Sequence, residues 1–569
     1  MTDRPPWTLW PAPAVVAVLR ALPWTASLVD TPTAAGVLPP IGYNPKDWLA
    51  YVAFIREAAQ GGWTVANPFT TAPQDGRYVQ GFFDLLGIVS RWTGVNPFTV
   101  LELSRVPLLF LLLAACWHMS AIALTERRHR VLACWLVMLS GGLEAVADRI
   151  LPYLPESTRW QATQDLWHLQ GWNTFAASYN PLWVAALALT LFTLVPLVRP
   201  GGPSGLRDAA RLGGGLLVLT LIHPYSAIVV LAVAVARPGL GWLLEIPGAF
   251  AGLRVVAIGI LPVAAVLAAI TAWQNADAVY RATAGNVLRP QALSIAWYPV
   301  TLGVVGFFAV RTWRWWIAGG ETGRLGLGAW TLAVVFLHAS TLLNGYHFVF
   351  QLWPPLCLAA APELMRTLAR VRIQPAGLAR AVALLALVFQ EPLTLTAKCI
   401  AEVQTHRIRA DGLEVLNLLG TLPPGNVLAT ADLGNYIPAY TDHRVYVGHW
   451  FLSPQYDQLA QNALSAVSGR TTAEQLAALV DGAGIHYVVA PASVAPALAA
   501  ALGTRVGRTL GAGAFAILVL DGPGGVAAPH RPPRCELRPV NTKFAIATST
   551  MTRAATPNHG VSGCPVSPT

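Results

Sequence analysis

The sequence predicts an α-helical polytopic membrane protein of about eleven membrane-entering helices, followed by a small extracytoplasmic α/β domain. Three observations carry that expectation. Of the 569 residues, 54% are apolar and only 12% are charged, against about 25% charged in an ordinary soluble domain. Apolar runs of about 20 residues, the length that crosses a bilayer as helix, recur along the chain, and the mean hydropathy is +0.50. From about residue 400 the pattern changes to short β-rich runs that alternate with helical ones, as in a small α/β unit. A soluble, disordered or coiled-coil protein is excluded.

The first span is read at about 7–29 and is retained, since no small-residue cleavage site follows it; Arg20 and Pro23 interrupt it. Residues 30–103 form a long mixed loop. Further apolar runs lie near 106–125, 131–148, 180–198, 212–236, 255–272, 293–310, 326–342, 348–361 and 380–397. The run 212–236 is interrupted by His223-Pro224-Tyr225, where proline removes a helix donor and forces a break. It is therefore read as two short half-crossings, 212–222 and 226–236. Residues 1–399 make up the membrane domain. In the α/β domain, 400–522, strands are expected at 427–430, 445–448, 486–490 and 514–520, with helices at 456–468, 473–481 and 494–502 and a largely parallel sheet. Residues 523–569, rich in Pro, Thr, Ser and Gly, read as a disordered tail.

The formal charge of +10 rests almost wholly on arginine, the only lysines being Lys46, Lys398 and Lys543. Five short connections, 126–130, 199–211, 237–254, 311–324 and 363–380, hold 15 Arg against 5 acids, which is the whole surplus. Placed on one side by the positive-inside rule, they put the N-terminus in the cytoplasm and the 400–569 region outside. The basic balance is thus a matter of topology, and no nucleic-acid partner is implied. The six cysteines show no metal-binding spacing. The polar loops 30–103, 149–179, 273–292 and the Asn344-Gly345-Tyr346-His347 junction share the outer side, where polar chemistry belongs.

In the first outer loop, the stretch from Asn44-Pro45-Lys46-Asp47-Trp48 through Tyr51 to Gly62-Trp63 is too polar to cross the bilayer and suits an interfacial amphipathic helix. A second such piece runs over 77–92. Asp47, a carboxylate at the membrane surface beside aromatic rings, suits a general base. With Tyr51, Gly62-Trp63, Pro68, the 81–92 helix and Arg105 in that order, the chain resembles the GT-C superfamily of polytopic glycosyltransferases, which includes the protein O-mannosyltransferases and the aminoarabinose transferases of lipid A.

The resemblance implies a sugar donor carried on polyprenyl phosphate, with Asp47 acting on the acceptor hydroxyl and basic residues holding the leaving phosphate. The partners would be that donor, membrane lipids and an acceptor glycan, lipid or protein of the cell envelope, and the bias to Arg over Lys with high Ala, Gly and Pro points to a bacterial inner membrane. A soluble nucleotide is not required, in keeping with the lack of a Gly-rich phosphate loop. No DxD motif marks a metal site, and a divalent metal is left as an open requirement.

Each candidate has a plainer alternative. Asp47 can equally start and cap its helix. Asp165 and Glu144 are candidates for a second acid, the one set among interfacial aromatics and the other at the outer end of a span, where an intramembrane carboxylate is a functional candidate. Arg281 and Arg289 suit phosphate because the guanidinium fork matches its oxygens, and both also suit interfacial anchoring. His223, His347, Tyr51 and Arg77 complete the substrate-binding set, His223 being equally a helix cap. A lipid or solute transporter or flippase remains the second reading of the whole chain. A non-catalytic glycolipid-binding envelope protein of the same fold is the third.

Overall fold

The protein is described from a computed structural model, over residues 4–29, 45–61, 63–156, 173–246, 250, 252–287, 298–312, 322–340, 345–371, 374–403 and 408–521. The candidates Asp165 and Arg289 and the tail 523–569 lie outside these residues, and nothing is described of the Glu144 side chain.

The first half of the chain forms α1 (Pro11–Val29), α2 (Pro45–Ala59), α3 (Gly81–Thr93), α4 (Pro97–Ala123), α5 (Arg127–Leu139), α6 (Glu144–Ile150), α7 (Thr174–Ala177) and α8 (Pro181–Val198). There follow α9 (Leu206–Ile222), α10 (Pro224–Leu243), α11 (Leu253–Asn275), α12 (Ala278–Val287), α13 (Tyr298–Arg311), α14 (Thr322–Ala339), α15 (Trp353–Ala369) and α16 (Pro375–Val403). Five of them, α4, α8, α10, α11 and α16, are long and apolar enough to cross a membrane, so the chain is an integral membrane protein. The expected break at His223 is present, between α9 of 17 residues and α10 of 20. At 1.5 Å per residue α10 is about 30 Å long and apolar enough for a full crossing rather than a half one, whereas α9 opens with Arg207, Asp208 and Arg211 and its apolar part starts at Leu212, as expected. The run read as 131–148 is shorter than expected. Helix α5 stops at Leu139 because Ser140-Gly141-Gly142 leaves helical geometry, and the Glu391 carboxylate of α16 accepts from Gly142 N at 2.7 Å.

Close helix contact relies on small residues. A Cβ on Gly213 of α9 would lie 2.6 Å from the Gly259 carbonyl of α11, and one on Gly259 would lie 2.6 Å from Ala209 O. Such small-residue seams are how apolar helices approach in lipid, where no hydrophobic force drives them together. Helix α11 is mostly exposed along Leu261 and Val266, as a lipid-facing helix would be.

Beyond α16 the chain continues as α17 (Ala410–Gly420), β1 (Asn426–Leu428), α18 (Ala431–Tyr440), β2 (Arg444–Val445), α19 (Tyr456–Val467), α20 (Ala473–Gly482), β3 (Tyr487–Pro491), α21 (Ala495–Leu502), β4 (Val506–Ala512) and β5 (Phe515–Leu520). The sheet order is β2-β1-β3-β5-β4. The first three strands are parallel, while β5 is antiparallel to both β3 and β4. The sheet is therefore mixed, not largely parallel, because β4 and β5 form a hairpin through the Gly513 turn, at φ 59°. Strand β4 was not foreseen: its Gly-Arg-Thr stretch is exposed at the sheet edge, and a polar edge strand lacks apolar alternation.

Alternate residues of the sheet serve two cores. Val427, Tyr487, Val489 and Ile517 join the core that runs into the membrane helices, and Leu428, Val488 and Leu518 pack under α19, α20 and α21. One face of the α/β region is thus continuous with the helical part, through α17 and α18.

Candidate active site

Helix α2 starts with Pro45, whose fixed φ suits a first helical position, and carries Asp47 in its first turn, where the helix dipole favours an anion. Its apolar side, Trp48, Leu49, Val52 and Ile55, is buried. Helix α3 lies close along α2 because Gly87 leaves room: a Cβ there would sit 2.5 Å from that of Ala58. Between the two helices the Tyr51 ring stacks on Phe83 at 4.7 Å and 18°.

At the head of α2 the Asp47 carboxylate meets His449 of the α/β region, with Oδ1 3.0 Å from Nε2. His449 is almost wholly buried, whereas the Asp47 side chain is 31% exposed, so the carboxylate is the member of the pair that a ligand can reach. Phe451 N donates to His449 Nδ1 at 3.3 Å. That bond leaves the ring proton on Nε2, aimed at Asp47. His449 reaches this position because two glycines let backbones touch. A Cβ on Gly434 would lie 2.1 Å from Val447 O, and one on Gly448 would lie 2.6 Å from Gly434 O and 2.8 Å from the Phe69 ring.

The same junction is fastened on both sides of the pair. Arg56 of α2 and Gln60 just after it each donate to Asp442 at 2.9 Å, and Lys46 lies 3.8 Å from Asp432. From the loop after α2, Asn67 Nδ2 donates to Leu452 O at 2.7 Å, and Ser453 Oγ donates to Phe69 O at 2.8 Å.

Below the pair, Tyr51 accepts from Asn180 Nδ2 at 3.2 Å. Burial first, and then the nearby Asp47 charge, push the Tyr51 phenol well up, so it keeps its proton and stays a donor. Asn180 is held by the α7 turn, whose carbonyls two buried arginines satisfy. Arg20 donates to Phe175 O and Ser178 Oγ, and Arg105 donates to Ser178 O at 3.1 Å and Tyr179 O at 3.0 Å. Glu102 pairs with Arg105, whose guanidinium also lies 5.9 Å from the Trp48 ring centroid. Asn173, at the start of that turn, donates to the Glu391 carboxylate.

The remaining candidates fall into two groups. Arg77 and Arg281 meet at one end of α11: Arg77 Nη1 donates to Trp273 O at 3.0 Å and Arg281 Nη1 to Asn275 O at 2.7 Å. Cations at a helix C-terminus complement its dipole. Arg77 also pairs with Asp75 at 2.7 Å. His223 and His347 meet around Tyr225, on which His347 stacks at 4.0 Å. His223 Nδ1 accepts from Ser226 N at 3.3 Å and so caps α10. Among the described residues no group of three His, Cys, Asp or Glu side chains converges as a metal site.

The sequence alone singles out none of His449, Asn180, Asn173 and Glu391. The Asn180-Pro181 pair is a helix-start signal, and Glu391 is a carboxylate in the middle of an apolar run. Both were readable in kind, but not in partner.

No protein-family model matches this sequence, and no curated protein does. Among solved structures, the chain is similar to the archaeal oligosaccharyltransferase AglB from Archaeoglobus fulgidus in complex with an inhibitory peptide and a dolichol-phosphate. The TM-score is 0.48 at 12% identity, over 86% of this chain and 70% of that one. The apo form of the Archaeoglobus fulgidus oligosaccharyltransferase gives 0.48 at 12% identity, over 89% and 73%. The arabinofuranosyltransferase AftD from Mycobacteria gives 0.46 at 17% identity, over 91% of this chain and 42% of that one.

Proposed function

We propose that the protein is a membrane glycosyltransferase of GT-C type, which moves a sugar from a polyprenyl-phosphate carrier to an acceptor on the outer face of the membrane. The observation that carries this reading is the Asp47–His449 pair, a reachable carboxylate in the first turn of α2, held at 3.0 Å by an imidazole from the α/β region. The order of Asp47, Tyr51, Trp63 and Arg105 in the sequence supports it.

In this reading the isoprenoid tail of the donor stays among the apolar helices, and its phosphate-linked sugar rises to the depth of α2. Asp47 takes the proton of the acceptor hydroxyl while that oxygen bonds to the anomeric carbon. The bond from the anomeric carbon to the phosphate oxygen breaks, its electron pair stays on the oxygen, and polyprenyl phosphate leaves. Lys46, next to Asp47, and Arg77 and Arg281 supply positive charge for that phosphate. His449 holds the carboxylate in one orientation through its Nε2 proton. Tyr51, kept protonated, donates a hydrogen bond to a sugar or phosphate oxygen. The orientation that goes with this reading has the N-terminus in the cytoplasm and the α/β region outside, at a bacterial inner membrane.

The test is turnover of labelled polyprenyl-phosphate sugars by the purified full-length protein in nanodiscs. Asp47→Asn should lower turnover by about 10²- to 10⁴-fold, the range of general-base contributions. Turnover equal to wild type would remove Asp47 from the chemistry.

A further inference from the structure

Trp450, next to His449, is 53% exposed, although His449 itself is buried. Its indole is held in place, edge-on to Phe451 at 5.2 Å and 65° and within 26° of parallel to the His449 ring. Asp432, whose side chain is 89% exposed, and Lys46, 46% exposed, face each other at 3.8 Å across the same junction, and Lys46 immediately precedes Asp47. Exposed charges of both signs mark an aqueous mouth rather than a surface sunk in lipid.

We propose that Trp450 is the floor of a sugar subsite, with Asp432 and Lys46 at its rim, that takes one glycosyl ring beside Asp47. An aromatic face carries a negative quadrupole, which attracts the polarised C–H hydrogens on the apolar face of a sugar ring. A carboxylate accepts from ring hydroxyls and an ammonium donates to them, so floor and rim together supply what a sugar ring needs. The ring can belong to the donor or to an acceptor glycan. This subsite rests on the glycosyl-transfer reading for its purpose, but sugar binding to it can be measured without turnover.

Two arms test it on the full-length protein in nanodiscs. In the first, saturation-transfer NMR with a panel of methyl glycosides should show contact signals in wild type and in Asp47→Asn, and their loss in Trp450→Ala. Signals unchanged in Trp450→Ala overturn the subsite even if transfer is observed. Signals lost in Trp450→Ala, in a protein that transfers no sugar, uphold the subsite and sink the transfer reading alone. In the second arm, Trp450→Ala should raise KM about tenfold, the scale of one aromatic contact, with kcat within about twofold. Whether the KM of the donor or of the acceptor rises identifies the ring that binds. Trp450→Phe should restore most of the affinity. Trp450→Leu, which keeps an apolar side chain but no π face, should behave as Trp450→Ala. If Trp450→Leu equals wild type, the position serves lipid contact and the proposal fails.

Discussion

Asp47 and His449 lie 402 positions apart and meet at 3.0 Å, and the exposed member of the pair is the one a substrate would use. If His449 acts by orienting Asp47, its effect should fall on kcat. Replacing His449 with Ala should lower kcat about tenfold or more with little change in KM, and His449→Gln, whose amide also donates, should recover part of the loss. Asp84 of α3 is a second residue with a measurable consequence. Its Oδ2 accepts from Gln80 N at 3.1 Å, its Oδ1 is buried without a hydrogen-bond partner among the described residues, and burial pushes its carboxyl up to about 6. The folded protein then binds this proton more tightly than the unfolded chain, whose value is about 3.9. Stability is therefore lost as pH rises from about 4 to 6. Asp84→Asn should raise the melting temperature at pH 7.5, and the difference should shrink as the pH is lowered towards 4.5. An equal gain at both pH values would refute the titration.

At the scale of elements, the site depends on two places where glycine lets backbones touch. Gly87 sets the distance of α3 from α2, and Gly448 sets the seat of the His449 turn against Gly434 and Phe69. Gly87→Leu and Gly448→Val should each overpack a tight seam, at a cost of about 1–3 kcal/mol, and should cut transfer by more than the lost folded fraction explains. Thermal melts and turnover measured on the same preparations separate the two effects. The α7 turn is the third element that matters. Its carbonyls are held by Arg20 and Arg105, two charges that look out of place in apolar runs until their partners are seen. Buried guanidinium groups are tolerated where carbonyls meet them with full hydrogen bonding, and here they fix Asn180 beneath Tyr51.

At the scale of the whole molecule, the α/β region shares a core with the helical part and supplies His449 to it. Its orientation in the membrane follows in our reading from the five arginine-rich connections. Cysteine labelling checks that. Cys116, Cys134, Cys357 and Cys399 are buried, so with Cys535 and Cys564 changed to Ser a membrane-impermeant maleimide reports on introduced sites. Arg128→Cys should label only from the cytoplasmic side and Glu474→Cys only from the outside. The reverse pattern would overturn the topology and, with it, the side on which transfer is proposed.

Composition and period alone determined the class of this protein, the place where the helical part gives way to a sheet, the break at His223 and the helix that carries Asp47. Those properties are local: hydropathy over about 20 residues, a proline without its donor, a carboxylate at a helix start. The short α5, the antiparallel β4–β5 hairpin, the meeting of Arg77 with Arg281 at the end of α11 and the partners of Arg20, Arg105 and Glu391 were decided by the tertiary structure. Each depends on which distant carbonyl, carboxylate or glycine comes within hydrogen-bonding or van der Waals reach. A polar side chain in a sequence states that it needs a partner, but the packing of the chain decides which partner it receives.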